Sequence, residues 1–350
     1  MVREFGYEYD ATIDQDLLLK TKELSATEKL FGAYCLRSGR DALKAIAREY
    51  EPCVVYLPAL SCASMIHPFE IYGHKIRFYS LNFNYSVDLN SVVFDANHFI
   101  FVYMDYFGNE SLSDKQLVDL QSKYNITFVE DRTHNLFLER TRDFQPDYLV
   151  ASLRKWLPLP DGGLLWGQVD KAFSSDYQFF IKRLEAQAMR HEYLMSGNEE
   201  LKKQFRHIFS NVSEIINDDE PALMSMYSYN IAKITDISSV AETRANNAQA
   251  LIAILSGSPY ISLIQKNTKA SDLYVAFLVD NRDLIQKALS GLGIFNTVIW
   301  PLSEEQRNVC MVSRYVESHM LAAPCDQRYT VKDMEYIGRN IIKVIENVNG

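Results

Sequence analysis

Apolar positions follow two rhythms along the first half of the chain. Short apolar runs, bounded by Gly, Pro or Asn, predict strands at Cys53–Leu57, Lys75–Ser80, His98–Tyr106, Ile126–Glu130 and Asp147–Ala151. Between them, apolar residues recur at helical spacing over Asp41–Tyr50, Ser61–Tyr72 and Leu112–Tyr124. Pro68 is expected to kink or break the second helix. Tyr34–Leu36 leads into Ser38-Gly39-Arg40 at the start of the first. Alternating strand and helix predict an α/β fold with a mainly parallel sheet covered on both faces. In such sheets a ligand binds at the carboxyl ends of the strands.

The pattern then changes. Residues 170–235 read as a helical, charged excursion rich in aromatics that are expected to pack rather than recognise a ligand (Tyr177, Phe179, Phe180, Tyr193, Tyr227, Tyr229). Residues 236–350 read as a smaller α/β unit. Its expected elements are helix Glu242–Leu255, strand Asp272–Val279, helix Asp283–Leu292, a strand-like Ile294–Trp300 and a closing helix Val331–Val348. Residues 1–30 read as an arm with a helix at Asp14–Leu24. The expected organisation is an arm (1–30), a large domain (31–235) carrying the excursion, and a small C-terminal domain (236–350).

The stretch Val150–Gly163 does not fit a simple strand or helix. It begins as a buried strand and delivers Ser152 and Lys155 just past the strand's end. Pro158, Pro160 and the Gly162-Gly163 pair then forbid a helix and force a tight turn. Leu164–Gly167 reads as a second short strand. A lysine held on a rigid loop between two buried strands is placed as a Schiff-base amine must be, desolvated and aimed.

Composition narrows the field. The chain has 350 residues, 47% of them apolar, and a formal net charge of −9 without a long basic run. Nucleic acid and anionic membrane surfaces are therefore not expected partners. No apolar run has membrane-spanning length, and the N-terminal residues form no signal-peptide core. The five cysteines show no framework or Cys-x-x-Cys spacing, which suggests reduced thiols and a cytoplasmic protein. The histidines show no ligand spacing, and no metal is expected.

Lys155 and Asp131 together suggest a particular chemistry. Burial weakens an amine's hold on its proton and makes it a nucleophile toward an aldehyde. A carboxylate at the end of a neighbouring strand can hold a pyridinium proton. These are the two demands of pyridoxal 5'-phosphate. Ser38-Gly39 opens a helix whose N–H groups and dipole favour a phosphate. Ser152 could add a hydrogen bond and Arg40 a charge-assisted one. For Arg40, phosphate contact, substrate contact and a surface salt bridge stand equally open.

The chain resembles the fold-type-I pyridoxal-phosphate enzymes, and among them the DegT/DnrJ/EryC1/StrS aminotransferases, best known for aminating nucleotide-linked keto-sugars. The resemblance covers most of the chain. Ser38-Gly39-Arg40-Asp-Ala-Leu is similar to the family's Ser-Gly-Thr-x-Ala-Leu phosphate turn, and Leu57–Ser61 to its Val-Pro-x-x-Thr segment. Val129–His134 is similar to the Glu-Asp-x-x-Gln/His motif, and Ser152–Gly163 to the lysine loop. The resemblance implies a large domain with a mainly parallel seven-stranded-type sheet, a smaller C-terminal domain and a homodimer. It implies Lys155 and Asp131 as catalytic residues, Asp131 on the ring nitrogen and His134 near the ring's phenolic oxygen. Ser38, Gly39, Arg40, Cys62 and Ser152 complete the implied cofactor site. Three departures point to an outlying branch. Ser152 lies three residues before Lys155 instead of five, Arg40 replaces a small hydroxyl residue, and Cys62 falls near the position where many members stack an aromatic ring.

The expected activity is transfer of an amino group from an amino acid to a keto acceptor. The alternatives are a dehydratase, lyase or racemase on the same cofactor, or a non-catalytic pyridoxal-phosphate-binding protein. Retention of Lys155 argues against the family's dehydratases, which replace that lysine with histidine. Ser-x-x-Lys is also the penicillin-binding-protein signature, but its Ser-Asp-Asn and Lys-Thr-Gly companions are absent. His134 reads equally as a core histidine or a ring contact, and Arg244 as a solvated or inter-domain residue ahead of a substrate contact.

Overall fold

The computed structural model describes residues 2–10, 29–137, 143–170, 172–264 and 273–349. The expected Asp14–Leu24 helix lies outside them. In chain order the first described elements are β1 (Phe5–Gly6), β2 (Lys29–Leu30), β3 (Ala33–Leu36), α1 (Gly39–Ala47) and β4 (Val54–Pro58). They continue with α2 (Ala63–Glu70), β5 (Lys75–Tyr79), β6 (Phe99–Met104), α3 (Asp114–Lys123) and β7 (Ile126–Asp131). The strands β8 (Tyr148–Ala151) and β9 (Gly163–Trp166) complete the series.

Local chemistry explains the boundaries. The Ser38 hydroxyl caps α1 by accepting the Asp41 N–H. Ser113 and Gln116 form a reciprocal capping box at α3. Pro68 neither breaks nor ends α2, which carries it in its last turn. Strands β6 and β7 are buried at every position, as strands covered on both faces should be.

The large sheet has the order β2-β3-β9-β8-β7-β6-β4-β5. Strands β3, β4, β5, β6, β7 and β8 run one way, with β9 and β2 opposed. The mainly parallel sheet is as expected, but it has eight strands rather than seven. The extra one is the two-residue β2, folded back on β3 as a hairpin edge.

The excursion contains α4 (Gln178–Ser196), α5 (Glu199–Asn211), a 3-10 turn at Val212–Ile216, and α6 (Met226–Ile234). It returns to the sheet beside β3, where the Met224 N–H donates to the Cys35 carbonyl at 3.0 Å. The C-terminal part contains α7 (Ile237–Leu255), β10 (Ser262–Leu263), β11 (Tyr274–Leu278), α8 (Arg282–Gly291) and β12 (Ile294–Phe295). It ends with α9 (Glu304–Val309), α10 (Met311–His319), β13 (Met320–Pro324) and α11 (Val331–Asn349). Strands β10, β11 and β13 form a second, antiparallel sheet. Phe5 of β1 pairs with Ile294 and sits in the same apolar core as Leu251, Leu321 and Ile337.

Two expectations differ here. Only the first two residues of Ile294–Trp300 form a strand, and Thr297 adds a single bridge to Ala322. Strand β13 was not anticipated, because a short run such as Met-Leu-Ala-Ala-Pro carries no decisive period.

One glycine fixes how the large sheet meets α1. A Cβ on Gly163 would lie 2.1 Å from the Ser38 carbonyl carbon and 2.5 Å from the Gly39 nitrogen. Both obstacles are backbone, so neither can rotate away. Gly163→Ala should therefore destabilise the fold by about 3 kcal/mol, measured by urea denaturation. Gly291→Ala, where a Cβ would meet nothing within 4 Å, should be neutral or stabilising by up to about 1 kcal/mol.

Candidate active site

The carboxyl ends of β3, β4, β6, β7 and β8 open into one cavity. It is lined by Ser38, Gly39, Arg40, Cys62, Asp131, Ser152 and Lys155, seven of the eight residues expected there. The eighth, His134, is buried but does not line the cavity. It lies behind Trp300, which does, with the two rings stacked at 6.1 Å and 26°.

The lysine loop is held from three sides. Leu153–Lys155 form one 3-10 turn after β8, and the Trp156 N–H closes on the Leu153 carbonyl at 2.9 Å. Trp156 is fully buried and anchors the turn in an apolar cluster with Leu153, Leu157 and Leu159. Asp161 accepts from the Ser225 N–H and hydroxyl, both at 2.7 Å, which ties the loop to the start of α6. Lys155 is half-buried and lines the cavity.

Thr133 links this loop to Asp131. Its N–H donates to Asp131 Oδ1 at 2.8 Å, its Oγ1 accepts the Ser152 N–H at 3.1 Å, and its carbonyl accepts Trp156 Nε1 at 2.8 Å. Nothing in the sequence pattern singled Thr133 out, beyond its place between Asp131 and His134. Burial raises the Asp131 carboxyl above the usual aspartate value, against the Thr133 hydrogen bonds and the Lys155 charge, which favour ionisation. Burial, aided by the Lys155 charge, pushes the His134 imidazole down to about 3. His134 is therefore neutral near pH 7, and its Nδ1 is buried without a hydrogen-bond partner among the described residues.

The turn before α1 forms the opposite wall. A Cβ on Gly39 would come within 3.3 Å of Ser152 Cβ, so Ser152 packs directly against the helix start. The Ser38 hydroxyl is committed to Asp41, to which it also donates. The first backbone N–H groups of the helix are left to meet an anion. Asp41 would repel that anion, but the wholly buried Arg37 pairs with it at 2.9 Å.

Of the three open readings of Arg40, the surface salt bridge is the one that is not seen among the described residues. Its Nη1 donates to the Ser213 carbonyl at 2.8 Å and to Asn217 Oδ1, and it forms no ion pair among the described residues. Lys44 of the same helix donates to the Ile216 carbonyl at 2.8 Å. The end of the excursion is thereby drawn over the cavity, and Phe179, Ser213 and Ile216 join its lining. Cys62 lines the cavity with its Sγ 2.9 Å from Ser64 Oγ and offers no ring for stacking. Arg244 is buried at the junction of the two parts. It donates to the Tyr9 hydroxyl at 2.7 Å and lies over the Trp156 ring at 4.8 Å, so it is not the solvated residue that one reading expected.

A buried carboxylate whose proton affinity is raised, a cavity-facing amine, and a helix start approached without Cβ atoms at Gly39 and Gly163 fit a phosphorylated pyridine aldehyde. Asp131 would hold the ring nitrogen and Lys155 the aldehyde. The residues at the start of α1 and Ser152 would hold the phosphate.

The fold is the type I fold of pyridoxal-phosphate-dependent transferases. No family model and no curated protein matches the sequence. Among solved structures, the chain is similar to Helicobacter pylori PseC, an aminotransferase involved in the biosynthesis of pseudoaminic acid. The TM-score is 0.70 at 14% identity, over 99% of this chain and 100% of that one. It is similar to Escherichia coli GDP-4-keto-6-deoxy-D-mannose-3-dehydratase with bound hydrated PLP, at TM-score 0.64 and 14% identity over 97% and 100% of the two chains. It is also similar to NtdA from Bacillus subtilis with bound cofactor PMP. That match has TM-score 0.63 at 13% identity and covers 89% of this chain and 73% of that one.

The buried imidazole has a consequence for stability. The unfolded chain protonates His134 near 6.5, whereas the fold resists protonation down to about 3. Falling pH through that window therefore favours unfolding, by up to about 1.4 kcal/mol per pH unit. Denaturation of His134→Gln between pH 6.5 and 3 should show a shallower pH dependence than the wild type, by roughly one proton.

Proposed function

We propose that the protein is a pyridoxal-phosphate-dependent aminotransferase that moves an amino group from an amino acid to a keto acceptor. The observation that carries this reading is the meeting of Lys155 and Asp131, from the ends of two adjacent strands, in one cavity closed by the start of α1. A nucleotide-linked keto-sugar is the acceptor class that the resemblance to the DegT/DnrJ/EryC1/StrS enzymes favours, and the structural likeness to PseC points the same way. We read the working form as a homodimer, as that resemblance implies. We read the compartment as cytoplasmic, supported by five free cysteines. Among the described residues, no helix is long and apolar enough to cross a membrane.

The bound cofactor would supply an electron sink for the bond-breaking step at the substrate carbon. The protein's own groups do the rest. Lys155 would hold the cofactor's aldehyde, and its Nζ is the group that would move a proton at the substrate carbon. Asp131 would pair with the ring nitrogen and hold its proton. Its burial makes that pairing strong, because the same burial penalises the carboxylate left alone. Retention of Lys155 favours transamination over the dehydration carried out by the Escherichia coli structural neighbour.

Protein loaded with pyridoxal phosphate should show a visible absorbance band that Lys155→Ala abolishes. Survival of the band in the variant would overturn the assignment. Adding an amino acid should then form one equivalent of pyridoxamine phosphate per site, whereas a non-catalytic binder would form none. Asp131→Asn should retain folding and lower that half-reaction by about a hundredfold or more.

A further inference from the structure

We propose that a second cavity, beside the first, binds the carboxylate of a small amino or keto acid, with Arg154 as the cation that holds it. The inference rests on the reading of Lys155 given above. This cavity has a volume of about 360 Å3 and lies between the segment Gly6–Tyr9 and the C-terminal elements. Arg154 and Lys155 line both cavities, so the two spaces adjoin at these two residues.

The charges facing the second cavity do not balance. Three arginines (Arg154, Arg244 and Arg328) and Lys155 stand against two carboxylates, Glu8 and Asp326. Arg328 is committed to Asp326, gripping its two oxygens at 2.8 and 2.9 Å. Arg244 is committed to the Tyr9 hydroxyl and, at 2.9 Å, to Gln327 Oε1. Glu8 is bound by Arg183 at 2.7 Å, and burial of this carboxyl is outweighed by its arginine neighbours, which hold it down to about 2.

Arg154 keeps only a long approach to Glu8, at 4.0 Å. Its Nε is buried and has no hydrogen-bond partner among the described residues. Burial and the neighbouring Arg183 press its guanidinium down to about 10, more than Glu8 compensates. A partly buried guanidinium whose nearest carboxylate is that distant can take a second anion, and a planar carboxylate can meet it with two hydrogen bonds. A neutral hydroxyl ligand would leave the charge uncompensated. Because Arg154 immediately precedes Lys155, a carboxylate on it is held in the space that the amine also faces.

The test is ligand-detected NMR with pyruvate on the full chain, with and without pyridoxal phosphate. Pyruvate should bind the wild type in both states, and acetone, which lacks the carboxylate, should not. Arg154→Met should raise the pyruvate Kd about tenfold or more, the loss expected for a charge-assisted pair. Arg154→Lys keeps the charge without the fork and should raise it less, and it carries the test if the Met variant does not fold. Both variants should keep the visible band of the bound cofactor. The proposal is overturned if pyruvate binding ignores both substitutions, or if they weaken the cofactor while leaving pyruvate untouched. Pyruvate binding does not require the cofactor. A wild-type protein that binds pyruvate through Arg154 yet shows no band would refute the aminotransferase reading and leave this site standing.

Discussion

The contact that the rest of the structure depends on is backbone against backbone, where Gly163 meets Ser38 and Gly39 with no room for a side chain. It brings the far end of the lysine loop against the start of α1. The loop that joins the paired strands β8 and β9 has eleven residues, 152 to 162, and Trp156 and Asp161 fasten it on the way. If the two backbones were further apart, Ser152 would no longer reach the helix start. The wall meant for an anion would separate from the wall that carries the amine.

Charge is placed with the same economy. Asp41 caps its helix through Ser38 and would spoil an anion site there, so a fully buried arginine neutralises it. Among the described residues Asp131 pairs with no arginine and is held by Thr133, with the lysine charge nearby. A carboxylate kept in that state binds a cationic ring nitrogen better than one already paired to a guanidinium. His134 is kept neutral by burial, and it supports Trp300 from behind rather than entering the cavity.

The excursion between the sheet and the C-terminal part acts as a roof. Basic residues along α1 reach its carbonyls at Ser213 and Ile216, which sets Phe179 and Ile216 over the cavity. The segment Phe5–Tyr9 joins the C-terminal core to the same region. Through Glu8 and Tyr9 it orders the arginines that face the second cavity.

The alternation of apolar runs with helical spacing was enough to determine the parallel sheet. With it came the expectation that Asp131, Ser152 and Lys155 would gather at one edge, because the carboxyl ends of parallel strands all open on the same side. Ser38 and Arg40 were expected there from the helix start, and Cys62 from the family resemblance alone. Three things were decided only by tertiary structure. Strand β13 depends on pairing with β11, which a five-residue apolar run cannot announce. The roles of Thr133 and Trp300 come from neighbours distant in sequence, as do the displacement of His134 and the attachment of Arg40 to Ser213. The long pairing of Arg154 with Glu8 depends on where Arg183, Arg244 and Arg328 stand, and no linear spacing encodes those positions. Periodicity reports which face of an element is buried. It does not report which charge is left only distantly paired, because that depends on how separate elements pack together.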